Sequence, residues 1–153
     1  MASTLLQPGV NLFPETVVKA ELIQAYNDTD FGVEAAPPFL LKIGKSNESL
    51  ARLFKKHQCQ SAAYITAWNP YSQAAAPEQN ISSQSRLENE LKRRSLTYFP
   101  GMGADSKGQY PGESSFLVLD ISLETSKVLG RAYEQNAVVW CGPDAVPTLI
   151  LLR

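Results

Sequence analysis

The stretch YITAWNPYS, residues 64–72, places hydroxyl, amide and aromatic side chains at the end of an apolar run. Thr66, Asn69 and Ser72 can donate and accept hydrogen bonds, and Trp68 and Tyr71 can stack on a planar ring. Such groups gathered at one strand edge are what a small-ligand pocket uses. The same residues also suit a plain strand end, with Asn69 bonding its own backbone ahead of Pro70 and Trp68 in the core. Glu113 and Ser114, just before SFLVLD, form a second polar edge. There a carboxylate either fixes a ligand hydroxyl or, the favoured reading, pairs with Arg86. Gln135 and Asn136 precede AVVW as a third edge and also suit the end of a helix. The resulting expectation is a pocket built from the Asn69 loop, the 100–112 loop, Arg86 and Glu113. Arg86 would meet an anionic group, Trp68 or Tyr71 a ring, and Asn69 and Gln135 an amide or sugar edge.

Other chemistries have less to work with. His57 is the only histidine, and no GxSxG elbow accompanies it, so nucleophilic hydrolysis lacks its usual parts. If the protein is an enzyme, a carboxylate must do the proton transfer, and Glu113 is the first choice as general base. His57, Cys59 and Cys141 leave a zinc site one ligand short, so no metal is expected. PGMGADSKG, residues 100–108, lacks the Walker spacing and leads into a strand, so its glycines read as turn formers. Asp28 and Asp30 read as turn residues as well. No motif calls for a cofactor.

Fourteen Lys and Arg against fifteen Asp and Glu leave a charge of -1, which removes bulk attraction to nucleic acid. The one basic run, Lys92 to Arg94, reads as a solvated helix end. A small-molecule or nucleotide ligand is therefore the leading expectation. The alternative is a protein-interaction module or accessory subunit without catalytic activity, presenting the helix at 82–94 or an edge strand.

The elements that must position these groups follow from periodicity. At 153 residues, 44% apolar and 19% charged, the chain suits one ordinary domain, residues 18–153, after an arm at 1–17 broken by Pro8, Gly9 and Pro14. Strands are expected at 20–26 and 39–43, then a helix capped by Ser46 or Asn47 that buries Leu50, Leu53 and Phe54. A strand at 62–67, a helix at 82–94, a strand at 96–99, the loop at 100–112 and a strand at 115–119 come next. A third helix opens at Asp120 or Ser122 and buries Leu123, Val128, Leu129, Ala132 and Tyr133. Strands at 137–140 and 148–152 close the chain as a hairpin. The order ββαβαββαββ predicts an α+β fold with three helices on a mixed, largely antiparallel sheet. No apolar run approaches the roughly twenty residues of a membrane span. The first residues do not read as a secretory signal, and two cysteines make no disulfide scaffold, so the expected compartment is the cytoplasm.

Three blocks add a resemblance: AYITAWNPYS at 63–72, RLENELKRRSLTYFPGMGADSKGQYPGESSFLVLDIS at 86–122, and LGRAYEQNAVVW at 129–140. From about Ala25 to its end the chain resembles the bacterial domain-of-unknown-function 3293 family. The resemblance implies a small bacterial intracellular protein and no particular reaction. It also implies shared polar positions at Thr66, Asn69, Pro70, Ser72, Asn80, Arg86, Glu113, Ser114 and Gln135. The turn after the second helix is glycine-like in that family, whereas Ser95 stands here. Buried polar groups cost about 1–3 kcal/mol when unpaired. The shared ones must therefore bond to one another or to a ligand.

Overall fold

The structure, a computed structural model, describes residues 16–108 and 111–153. Residues 1–15 of the expected arm lie outside the described residues. Four helices and seven strands follow in order: α1 (Ala20–Asn27), β1 (Thr29–Val33), β2 (Phe39–Leu41), α2 (Glu48–His57), β3 (Ala62–Ile65), α3 (Pro77–Arg93), β4 (Tyr98–Asp105), β5 (Glu113–Leu119), α4 (Leu123–Ala132), β6 (Ala137–Cys141) and β7 (Pro147–Leu151). The strands form one sheet in the order β2-β1-β4-β5-β3-β6-β7. Every pairing is antiparallel, so the mixed sheet expected from sequence is antiparallel throughout. Three of the pairs join strands consecutive in sequence. β3 slots between β5 and β6, and both run opposite to it.

Side chains alternate across the sheet and serve two cores. On one face Phe31, Val33, Tyr64, Leu117 and Leu119 meet Leu50, Leu53 and Phe54 of α2. Asn47 caps that helix, its Oδ1 accepting from the Leu50 N–H at 2.9 Å. On the other face Ala63, Ile65, Phe116, Val118 and Val138 meet Leu87 and Leu91 of α3 and Leu129 of α4. Among the described residues no helix is long and apolar enough to cross a membrane.

The α+β class stands, with local departures. Residues 20–26, expected as a strand, form α1, which raises the helix count from three to four. Ala, Glu, Leu and Gln favour helix, and that propensity outweighs the apolar content. The first strand is instead Thr29–Val33, inside the segment read as a connection. α3 begins at Pro77, five residues early, with proline in the first turn where its missing N–H costs nothing. In α4 Val128 is exposed, and Ser126 and Gly130 take inward positions with Leu129. A Cβ on Gly130 would lie 2.5 Å from the Leu152 Cδ1 methyl and 2.7 Å from the Val138 Cγ1 methyl, so glycine lets α4 sit this close to the sheet without displacing those side chains.

The expected 100–112 loop is the largest departure, because β4 runs on to Asp105. Its glycines serve close packing here. A Cβ on Gly101 would overlap the carbonyl oxygen of Gly32 and lie 2.8 Å from the Tyr64 hydroxyl, which itself donates to Gly32 O at 2.8 Å. Gly101→Ala is expected to cost about 2–3 kcal/mol in urea denaturation, since backbone cannot yield as a side chain can.

Ser95 departs from glycine in residue type and keeps the glycine geometry. Its φ is 57°, its N–H donates to Lys92 O, and the Leu96 N–H donates to Leu91 O, both at 3.0 Å. This paired closure of the last helical turn normally uses glycine because a Cβ is strained there. Ser95→Gly is expected to stabilise the protein by about 0.5–1 kcal/mol, read as a higher urea midpoint at unchanged slope.

Candidate functional site

Where β3 ends, Thr66 turns the chain and ties it to the start of β5. Its hydroxyl donates to Ser114 O at 2.6 Å and accepts from the Trp68 N–H at 3.0 Å. Gln84 of α3 accepts from the Ala67 N–H at 2.9 Å through Oε1. Among the described residues Gln84 Nε2 is the one buried side-chain nitrogen or oxygen with no hydrogen-bond partner.

Asn69 is the hub. Its N–H donates to Asn80 Oδ1 at 2.8 Å, and its Oδ1 accepts from Asn80 Nδ2 at 2.8 Å and from the Ala75 N–H at 3.1 Å. Its remaining group, Nδ2, donates to Glu113 Oε2 at 3.1 Å. Asn69, Tyr71 and Ser72 all carry positive φ, at 47°, 53° and 61°. Asparagine tolerates that conformation, whereas a tyrosine there is strained by roughly 1–2 kcal/mol. The turn is held by the Tyr71 N–H donating to Glu134 O at 2.6 Å and the Ser72 N–H donating to Asn69 O at 2.8 Å. The Arg153 guanidinium lies 4.1 Å from the centre of the Tyr71 ring, a cation–π contact.

Ser72 sits at the end of a directed chain. The Arg153 guanidinium donates to Asn136 Oδ1 at 3.3 Å, and Asn136 Nδ2 donates to Ser72 Oγ at 3.1 Å. The Tyr26 hydroxyl of α1 shares a 3.1 Å hydrogen bond with Ser72 Oγ. Gln135 is buried and donates through Nε2 to Trp68 O and Tyr133 O, both at 3.2 Å, which fixes the approach to β6.

Glu113 is half-buried and makes no ion pair among the described residues. Asn69 satisfies Oε2, while among the described residues Oε1 has no hydrogen-bond partner. Burial pushes its carboxyl above the ordinary carboxylate range, and the Asn69 bond pulls only partly the other way. Burial likewise raises Tyr26. Its hydrogen bonds with Ser72 and Asn136 oppose that rise, and the charge on Glu113 adds to it.

The structure therefore brings Thr66, Asn69, Ser72, Glu113, Ser114 and Gln135 into one network, with Trp68 joined through its backbone. Tyr71 joins through its backbone and ring. Arg86 stands apart, which overturns the expected Glu113–Arg86 ion pair. It is exposed on α3, donates to Ser83 Oγ at 3.2 Å, and lines a separate cleft of about 220 Å³ with Pro70, Glu90, Tyr133 and Glu134. The basic run at the end of α3 is partly neutralised, since Glu90 pairs with Arg93 at 3.3 Å and Arg94 at 3.0 Å. Of the expected loop, Gln109 and Tyr110 lie outside the described residues.

Three participants escape the sequence reading. Gln84 is one, and its signal is phase: Asn80, Gln84, Leu87 and Leu91 lie on one helical stripe, visible only if the helix starts near Pro77. Tyr26 is the second, hidden by the strand assignment at 20–26. Arg153 is the third, a lone cation outside the polar edges that the sequence singles out. A buried carboxyl without a cation destabilises the fold as pH rises through the ordinary carboxylate range, because the unfolded chain ionises first. Neutral Glu113→Gln keeps an acceptor for Asn69 and escapes that cost. Its melting temperature is expected to exceed that of the natural chain by about 2 °C at pH 7.5, with the gap closing near pH 4.

No curated protein and no solved structure matches the chain. Residues 65–138 match the model of a family described as a protein of unknown function, DUF3293. That segment is narrower than the resemblance read from sequence, yet it contains Thr66, Asn69, Asn80, Gln84, Glu113, Gln135 and Asn136. The hydrogen-bond network around Asn69 thus lies inside the segment that matches the DUF3293 family model.

Proposed function

We propose that this protein binds a small polar, nucleoside-like molecule in the bacterial cytoplasm, at the surface formed by the 69–72 turn, Glu113 and Tyr26. The observation that carries the reading is Glu113: a half-buried carboxyl with one oxygen fixed by Asn69 and the other unused, beside a strained turn. Proteins retain backbone strain and destabilising charge mainly where a site needs them. Such a carboxyl favours a ligand that offers an N–H or O–H, and it is also the group that would move a proton there. Arg86 belongs to the neighbouring cleft, so a phosphate is not required for recognition.

A thermal-shift panel of nucleosides, nucleotides, amino acids and sugars tests the reading. One member at hundredfold excess over its Kd is expected to raise the melting temperature by about 5 °C or more. Glu113→Ala should abolish that shift and Arg86→Ala should leave it. If no member shifts the protein, or the shift survives Glu113→Ala, the ligand reading fails and the interaction-module alternative takes its place.

A further inference from the structure

The directions of the hydrogen bonds at this surface can be assigned, and they leave a specific remainder. A guanidinium only donates, so Asn136 must turn Oδ1 toward Arg153 and Nδ2 toward Ser72. Ser72 Oγ therefore accepts from Asn136. Tyr26 and Ser72 have two hydroxyl hydrogens between them and one mutual hydrogen bond, and the Asn136 amide, its oxygen turned to Arg153, meets Tyr26 only as a donor. Whichever donates, one hydroxyl hydrogen is left to point elsewhere. On the other side a backbone N–H, also a donor only, fixes Asn69 Oδ1 toward Ala75, so Asn69 Nδ2 must face Glu113. Glu113 Oε1 is then a surplus acceptor. Asn69 O receives the Ser72 N–H, so the two halves meet through one turn.

We propose that Tyr26, Ser72 and Glu113 form a single recognition face with one spare donor and one spare acceptor, whose ligand carries an amide-like edge: a carbonyl oxygen beside an N–H. A primary carboxamide has that edge, and so does the lactam side of a nucleobase. A carboxylate offers two acceptors and meets the Glu113 charge, so it is disfavoured, whereas an ammonium pairs with that charge and leaves the hydroxyl donor without an acceptor. The influence of the Glu113 charge on Tyr26 is consistent with the two lying close together. The proposal rests on the ligand reading above and narrows it to a chemical class.

Three aromatic probes that differ only in the polar group test it: benzamide, benzoate and benzylamine, titrated at pH 7.5 and followed by the amide chemical shifts of residues 69–73 and 113. Benzamide is expected to bind at least about tenfold more tightly than benzoate, the value of one well-made hydrogen bond, and benzylamine reports the Glu113 charge alone. Glu113→Gln supplies the decisive reversal. Asn69 Nδ2 must still be accepted, so the new side chain turns its oxygen to Asn69 and its Nε2 outward, converting the spare acceptor into a donor. In that variant benzoate is expected to overtake benzamide. Tyr26→Phe combined with Ser72→Ala removes both hydroxyls and should cost benzamide about tenfold while leaving benzylamine unchanged. Equal binding of benzamide and benzoate, no benzamide binding at millimolar concentration, or an unaltered ranking in Glu113→Gln overturns the proposal. A panel ligand that binds through Glu113 while the benzamide ranking fails sinks the assigned class alone and leaves the ligand reading intact.

Discussion

The side-chain amide of Asn69 is the constraint from which the rest of the site follows. Its oxygen takes two hydrogen bonds, its nitrogen gives one to Glu113, and its backbone N–H gives another to Asn80. Hydrogen bonds of this kind contribute on the order of 1 kcal/mol each. Left-handed backbone at a non-glycine residue costs roughly 1–2 kcal/mol. The two effects are of similar size, so the 69–72 turn is held in its strained shape only while this network is intact. That shape delivers Ser72 to Tyr26 and aims the Glu113 carboxyl.

α3 serves the core and the site with one stripe. Leu87 and Leu91 pack on the sheet, and a turn or two earlier on the same face Asn80 and Gln84 serve the end of β3. The polar half of that stripe has no role in a purely hydrophobic core. With Glu113 it makes a polar inclusion whose hydrogen bonds are nearly complete. Among the described residues the exceptions are Gln84 Nε2 and Glu113 Oε1.

Sequence patterns carried the architecture where local and tertiary preferences agree. β3, β5, β6 and β7 follow their apolar runs, and α2 and α4 start at Asn47 and Ser122 as capping chemistry requires. They were less informative where a contact distant in sequence decides. The glycines of β4 read as loop because the Gly32 carbonyl that excludes a Cβ at Gly101 lies 69 residues earlier in the chain. For the site, YITAWNPYS was legible because its chemistry is local. Tyr26, 46 residues from Ser72, has no such local mark. Arg86 was misplaced because it sits two positions after Gln84, and two positions along a helix turn a side chain to nearly the opposite side.

The helix that supplies Tyr26 is the most weakly anchored of the four. None of the residues of α1 is fully buried, and neither core cluster includes one of them. Segments with so little apolar burial detach at far lower free energy than the whole molecule unfolds. Detachment would remove one hydroxyl and uncover Ser72, while Glu113 and its amide partner stayed in place. The Glu113 side of the proposed face is thus fixed by the sheet, and the Tyr26 side can be withdrawn like a latch without disturbing what holds the fold together.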